Sequence, residues 1–333
     1  MIEDRDISIV IQGPILEEVI NDQKIEITKN VCLNIKKFFP NAEIIISTWQ
    51  GSNVEGLIYN KIILNEDPGS IFMSLNGIKR MNNTNRMIIS TLNGLRNASR
   101  KYVMKLRSDM YFEKNDIIEK FETYKKIPQN QNKVLKARIL TLSANNYKRG
   151  EKRIFTLNDW FMFGYKEDLI KIWDISLQDY NNLYYEKETA EFENNLVGED
   201  YVWTSFLKKD REYKEILKLE KYKISITKKN IYYSEKALAE YTILFTGKEL
   251  GLNSYKYYNK NYVRRDFARL SCYTHSEWLK LQNKYFLIKE KIKFKDLDFL
   301  DKLIYFIVFK LLQKKVYFLY NILKNFYKIC DKK

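Results

Sequence analysis

Asp109 ends the run Tyr102-Val-Met-Lys-Leu-Arg-Ser-Asp109, whose apolar start predicts a buried strand over Tyr102 to Leu106. In a parallel sheet ligands bind at the carboxyl ends of strands, so position marks Asp109 for chemistry. Glu199 and Asp200 follow Gly198 and precede a helical pattern from Tyr201 to Leu207. That order predicts both acids at or just before a helix N-terminus, where negative charge is favourable. Each acid has a plainer reading beside the chemical one: Asp109 as a strand-end carboxylate satisfied by backbone amides, Asp200 as a helix cap. His275 is the only histidine, which disfavours Ser-His-Asp hydrolysis, imidazole metal clusters and histidine phosphotransfer together. Cys32, Cys272 and Cys330 are odd in number and widely spaced, without the paired spacing of a zinc ribbon or a redox site, and are read as inert thiols.

Several elements must position these acids. Ile7, Ile9, Val10 and Ile11 form a β-branched run that stops at Gln12-Gly13-Pro14, predicting a buried strand and a turn. Residues 25 to 38 carry Ile27, Val31, Ile35 and Phe38 at helical spacing before Pro40-Asn41, and Ala42 to Thr48 reads as a second strand. This βαβ order favours a parallel sheet with helices on its faces. Lys61 to Leu64 adds a short strand, Asp67-Pro68-Gly69 a turn, and the polar stretch up to Asn83 reads as irregular. The next helix turns Ile88, Leu92 and Leu95 to the core and leaves Asn85, Arg86, Asn93 and Arg96 on other faces. Asp159 to Gly164 reads as a strand leading into a helix over Lys166 to Trp173, and 178 to 197 as irregular.

With 333 residues, 45% of them hydrophobic and 15% aromatic, the chain can bury one large core or two. Its net charge of +16 is uneven: residues 1 to 200 hold 28 basic and 28 acidic side chains, and 201 to 333 hold 30 and 14. A near-neutral domain followed by a segment attracted to something anionic accounts for that split. No stretch approaches the roughly 18 apolar residues of a membrane span. The charged start, Met1 to Arg5, lacks the apolar run of a secretory signal, so the chain is expected in the cytosol.

The blocks Ile7 to Pro14, Ser47 to Ser52, Asn85-Arg86, Tyr102 to Asp109 and Asp159-Trp160, in that order, resemble the WavE lipopolysaccharide-synthesis family over roughly residues 7 to 209. That family looks like a branch of the GT-A glycosyltransferases. The resemblance implies an α/β fold, GT-A-like or Rossmann-like, with a mostly parallel sheet flanked by helices, and a nucleotide-sugar donor. It also implies a DxD motif after a strand and, in inverting members, an acidic pair roughly ninety residues later that supplies the base. Asp109 fits the first place and Asp200 the second, with Glu199 as the competing base. Arg107 stands where the first carboxylate of DxD belongs. A Mg²⁺ or Mn²⁺ ion on Asp109 is thereby put in question, and Arg107 can instead pair with the donor diphosphate through its fixed fork.

By their positions Gln12, Gly13, Pro14, Trp49, Asn85 and Arg86 are read as donor contacts and Asp159 and Trp160 as the acceptor side. The Gly13 turn would let backbone approach the nucleotide, with a plain chain reversal as the alternative, and the two tryptophans either stack on rings or belong to the core. His275 is a further metal candidate, against an ordinary partly buried residue. The implied partners are a nucleotide-sugar donor and a glycolipid or oligosaccharide acceptor.

At the chain's end, Lys310, Lys314, Lys324, Lys328 and Lys332 fall within about 120° of Lys302 on a helical wheel. The remaining faces are apolar and aromatic from Leu303 to Tyr320. This predicts a basic amphipathic helix that attaches to an anionic membrane surface on the cytoplasmic side, against a packed helix with solvated lysines. Three segments result: 1–209 donor-binding and catalytic, 210–295 acceptor-side and core-completing, 296–333 membrane-associating. The rival function is a non-catalytic RNA- or polyanion-binding protein. The C-terminal apolar residues outnumber and segregate from the lysines, which argues against nucleic acid.

Overall fold

The β-branched run at the start of the chain is the centre of the molecule. In the computed structural model, which describes residues 2–20, 23–75, 78–128, 133–148, 153–179, 198–217, 224–255 and 272–288, β1 (Ile7–Gln12) is buried along its whole length. It pairs in parallel with β4 (Glu43–Trp49) on one side and β8 (Tyr102–Arg107) on the other. A strand covered on both faces reads as a continuous apolar run rather than an alternating one, and Ile7, Ile9, Val10 and Ile11 do so.

The sheet has seven strands in the order β12-β10-β11-β8-β1-β4-β5, completed by β5 (Lys61–Asn65), β10 (Ile139–Leu142), β11 (Phe161–Tyr165) and β12 (Thr242–Phe245). All run one way except β11, which is antiparallel to both β8 and β10. The mostly parallel α/β sheet flanked by helices is therefore present. Helix α1 (Ile27–Phe38) crosses from β1 to β4 and buries Val31, Cys32 and Ile35. Helix α2 (Thr84–Asn97) lies against the sheet where Gly94 removes the side chain: a Cβ there would stand 2.4 Å from Val10 Cγ1.

One correction to the sequence reading follows, and one strand direction it left open is fixed. The stretch from Asp67 to Asn83 is not wholly irregular, since β6 (Ile71–Leu75) and β7 (Ile78–Asn82) pair antiparallel within it. The reversal of β11 also brings the start of this strand, preceded by Asp159-Trp160, to the edge where the parallel strands end. Helices α3 (Ile117–Tyr124), α4 (Lys166–Trp173), α5 (Gly198–Leu207), α6 (Arg211–Leu217), α7 (Lys228–Tyr241), α8 (Gly247–Leu250) and α9 (His275–Phe286) follow in chain order.

Met1–Ile288 form one compact unit, to which residues 210–288 contribute β12, α7 and α9. Strand β13 (Leu252–Ser254) pairs with β9 (Met110–Phe112) just beyond Asp109. Cys32 and Cys272 are buried and unbridged, and burial pushes the Cys32 thiol up to about 11, in keeping with inert thiols. Among the described residues no helix is long and apolar enough to cross a membrane. The basic amphipathic segment 296–333 and Cys330 lie outside the described residues.

Candidate functional site

The carboxyl edge of the sheet gathers most of the singled-out residues. Gln12 ends β1 and is buried, its Oε1 accepting from Ser90 Oγ of α2 at 2.9 Å. Gly13 follows with φ +117°, and its N–H donates to the Ser47 carbonyl at 3.1 Å. The turn needs glycine twice over, for its φ and because an added Cβ would sit 3.3 Å from Ser108 Oγ. Pro14 is exposed beyond it, and Trp49, at the end of β4, is partly buried.

Arg107 and Asp109, at the end of β8, form a bidentate pair, with Nε 3.0 Å from Oδ1 and Nη2 2.7 Å from Oδ2. Ser254 Oγ of β13 donates to the same Oδ2 at 2.8 Å. Asp109 is 1% exposed, whereas the Arg107 side chain keeps 20% of its surface. The carboxylate thus acts as the anchor of a partly exposed guanidinium. That guanidinium lies over the Trp160 ring at 5.3 Å, and the Arg107 N–H donates to the Trp160 carbonyl at 3.1 Å.

Helix α5 begins three residues earlier than the helical pattern suggested, so Glu199 and Asp200 stand inside its first turn. Asp200 is 5% exposed. Its Oδ2 accepts from Arg153 Nη1 at 3.1 Å, while Oδ1, equally buried, has no hydrogen-bond partner among the described residues. Burial pushes this carboxyl up to about 7; Arg153 opposes the rise and Glu199 adds to it. Buried polar atoms are almost always paired, so an orphaned carboxylate oxygen at a strand-end edge points to a missing donor.

Glu199 is more exposed, 20% for its side chain, and accepts from Asn145 Nδ2 at 2.9 Å through Oε1. Burial raises its carboxyl as well, Asp159 adding to the rise and Arg153 and Arg107 opposing it. Arg107 and Asp159 therefore act electrostatically on Glu199, and Gly198 at the start of α5 stands against Met87 and Thr84 in the first turn of α2. Asn145 (φ 66°), which holds Glu199, and Phe155 (φ 54°), two residues after Arg153, both adopt the left-handed backbone that non-glycine residues rarely take.

Asp159 and Trp160 are partly exposed. The Asp159 carboxylate makes no hydrogen bond or ion pair among the described residues, but its carbonyl accepts from Lys105 Nζ. Lys105 is fully buried in the middle of β8, 5.0 Å from the Trp173 ring centroid. Burial pulls its ammonium down to about 8, against Asp159.

Three candidates are engaged elsewhere. Asn85 is buried rather than on an outer face of α2, and its amide clamps the Gln178 backbone in both directions, at 2.9 and 2.7 Å. Arg86 holds Asp67 with a bidentate pair at 2.7 and 2.6 Å. His275 lies in an aromatic cluster at the end of β12, the outermost strand, stacked on Phe245 at 3.7 Å, with Nδ1 2.9 Å from the Leu244 carbonyl.

The sequence reading passed over Arg153, Asn145, Ser254 and Lys105. Arg153 sits in the run Lys148-Arg-Gly-Glu-Lys-Arg153, which reads as a solvated charge cluster. Lys105, by contrast, carried a signal: a cation inside an apolar strand.

As a metal site the edge fits poorly. Both oxygens of Asp109 are held by Arg107 and Ser254, and no group of three or more His, Cys, Asp or Glu side chains suited to a metal occurs among the described residues.

The profile of the family described as WavE lipopolysaccharide synthesis matches residues 7–313, nearly the whole chain. The match runs past residue 209, where the resemblance read from the sequence ends, into the basic last third. No curated protein matches the chain. Among solved structures, the 4-diphosphocytidyl-2C-methyl-D-erythritol synthase of Anaerococcus prevotii is 11% identical, covering 70% of this chain and 97% of that one with a TM-score of 0.33. A cytidylyltransferase of Leptospira borgpetersenii is 13% identical, covering 66% and 99%, with a TM-score of 0.30. Likeness at that level carries no weight for the chemistry.

Proposed function

Since the chain belongs to the WavE lipopolysaccharide synthesis family, we propose that it is a glycosyltransferase. It moves a sugar from a nucleotide-sugar donor to a glycolipid or surface-glycan acceptor, with inversion. Such a transfer needs two things: a cation facing the departing nucleoside diphosphate, and a base for the acceptor hydroxyl.

Arg107 supplies the cation. A guanidinium is permanently charged and matches phosphate oxygens two at a time, and Asp109 holds it in place from behind. The Gly13 turn, with Trp49 on the neighbouring strand, offers the nucleotide a close approach to the backbone at the same edge. The donor set around Asp109 favours a transfer that proceeds without Mg²⁺ or Mn²⁺.

Asp200 is the base. The observation that carries this assignment is its orphaned Oδ1, buried with no donor among the described residues, in a carboxyl that burial pushes up to about 7. An acceptor hydroxyl would satisfy that oxygen on binding and give up its proton to it as the hydroxyl oxygen attacks the anomeric carbon. The bond to the diphosphate breaks, and its electron pair leaves with the phosphate against Arg107. Glu199, tied to Asn145, is the positioning partner, and Asp159 and Trp160 form the acceptor side.

A panel of nucleotide sugars tests this reading by binding and slow hydrolysis, with and without Mn²⁺ and EDTA. One donor should bind and turn over in EDTA, and Arg107→Gln should abolish it. Failure of every donor, or strict Mn²⁺ dependence, would contradict the reading. The basic segment 296–333 is proposed to hold the enzyme on the inner face of the membrane. Its deletion should release the protein from inner-membrane vesicles, and unchanged sedimentation would remove that part.

A further inference from the structure

A lysine fully buried in a central strand is a costly residue to keep, since its ammonium leaves water for a site with few compensating groups. Lys105 is such a residue. Its ammonium reaches past Trp173 to one acceptor, the main-chain carbonyl of Asp159. That carbonyl belongs to the turn that opens β11, and the next residue is Trp160, whose ring carries the Arg107 guanidinium and whose carbonyl accepts the Arg107 N–H. Lys105 and Arg107 sit two apart on β8, so their side chains project from the same face of the strand. One binds the turn from inside and the other lies on its outer surface.

We infer that Lys105 is a positioning residue for Arg107: its ammonium pins the Asp159–Trp160 turn, and the pinned Trp160 ring fixes the plane in which the guanidinium meets a diphosphate. The proposal rests on the reading of Arg107 as the diphosphate contact. The Asp159 and Asp109 carboxylates favour the charge, but its neighbours within β8 are apolar. Met104 and Leu106 pack as apolar residues on either side of Lys105, so a core role alone would be filled by methionine, which has nearly the same shape.

Inorganic pyrophosphate in EDTA serves as the probe, titrated calorimetrically into the full chain, and the binding abolished by Arg107→Gln defines the signal. Lys105→Met should keep or raise the melting temperature while weakening that signal about tenfold. Lys105→Gln, which retains an N–H donor toward the Asp159 carbonyl, should recover part of the loss. Trp160→Leu should reproduce the Lys105→Met defect with Lys105 intact. Unchanged pyrophosphate affinity in a folded Lys105→Met protein would overturn the inference and leave the Arg107 reading standing. If Lys105→Met does not fold, Trp160→Leu decides: normal affinity there overturns the inference too. No difference between wild type and Arg107→Gln would overturn both.

Discussion

Beneath α6 and α7, every carboxylate oxygen of Glu240 and Asp210 is occupied. Glu240 takes Lys133 at 2.7 Å and the Tyr213 hydroxyl at 2.7 Å; Asp210 takes the Glu212 N–H at 2.8 Å and the Tyr241 hydroxyl. At the carboxyl edge of the sheet, Asp200 has one oxygen on Arg153 and the other on nothing described. Both regions are buried and acidic. Burial alone does not separate them either, because it also raises the carboxyl of Asp168, whose oxygens accept from the Lys136 and Ala137 amides. Satisfaction does separate them: the closed clusters hold helices together, and the open one keeps a buried carboxylate oxygen without a donor among the described residues.

Breaking the closed cluster should have the largest effect on stability. Glu240→Ala leaves the Lys133 ammonium without its nearest partner, and should cost about 3 kcal/mol in a denaturant titration while turnover per folded molecule is kept. The open cluster should respond in the opposite sense. Asp200 has its folded pKa raised from the ordinary carboxylate range to about 7. The folded state therefore binds more protons than the unfolded one between those two values, and Asp200 lowers stability as pH rises through that window. Asp200→Asn removes this loss. Its stability relative to wild type should climb from pH 4 to 7 and then level off, measured by melting at pH 5 and pH 8.

How much of this contrast the sequence carries depends on the residue. The β-branched runs of β1 and β4 announce buried parallel strands, and Asp109 is legible because a strand visibly ends there. Asp200 is legible only as an acid near a helix start, since nothing in one chain says that Arg153, at the end of a charged run 47 residues earlier, supplies one partner and leaves the other oxygen without one among the described residues. The direction of β11 is illegible for a related reason: alternation and apolar runs report burial, not the sense in which a strand enters the sheet. The hairpin of β6 and β7 was available in Asn76-Gly77 between two strand-like runs, but the surrounding Asn and Ser content suggested a loop.

Smaller effects sharpen the description of the open cluster. Arg153 lowers the Asp200 carboxyl, so Arg153→Met should move the acidic limb of the pH–rate profile upward by about one unit. Glu199 raises it, so Glu199→Gln should move the same limb downward by about half a unit. A limb that ignored both substitutions would mean that another group governs it.

The most direct measurement is turnover of Asp200→Asn beside Glu199→Gln, with the donor found in the nucleotide-sugar screen, from pH 5 to pH 9. Asp200→Asn should be slower by about 10² to 10⁴ above pH 7, the gap narrowing toward pH 5 as the wild-type base is protonated, and as well folded as wild type, while Glu199→Gln keeps most of its rate above pH 7. Near-normal turnover of a folded Asp200→Asn protein would contradict the account.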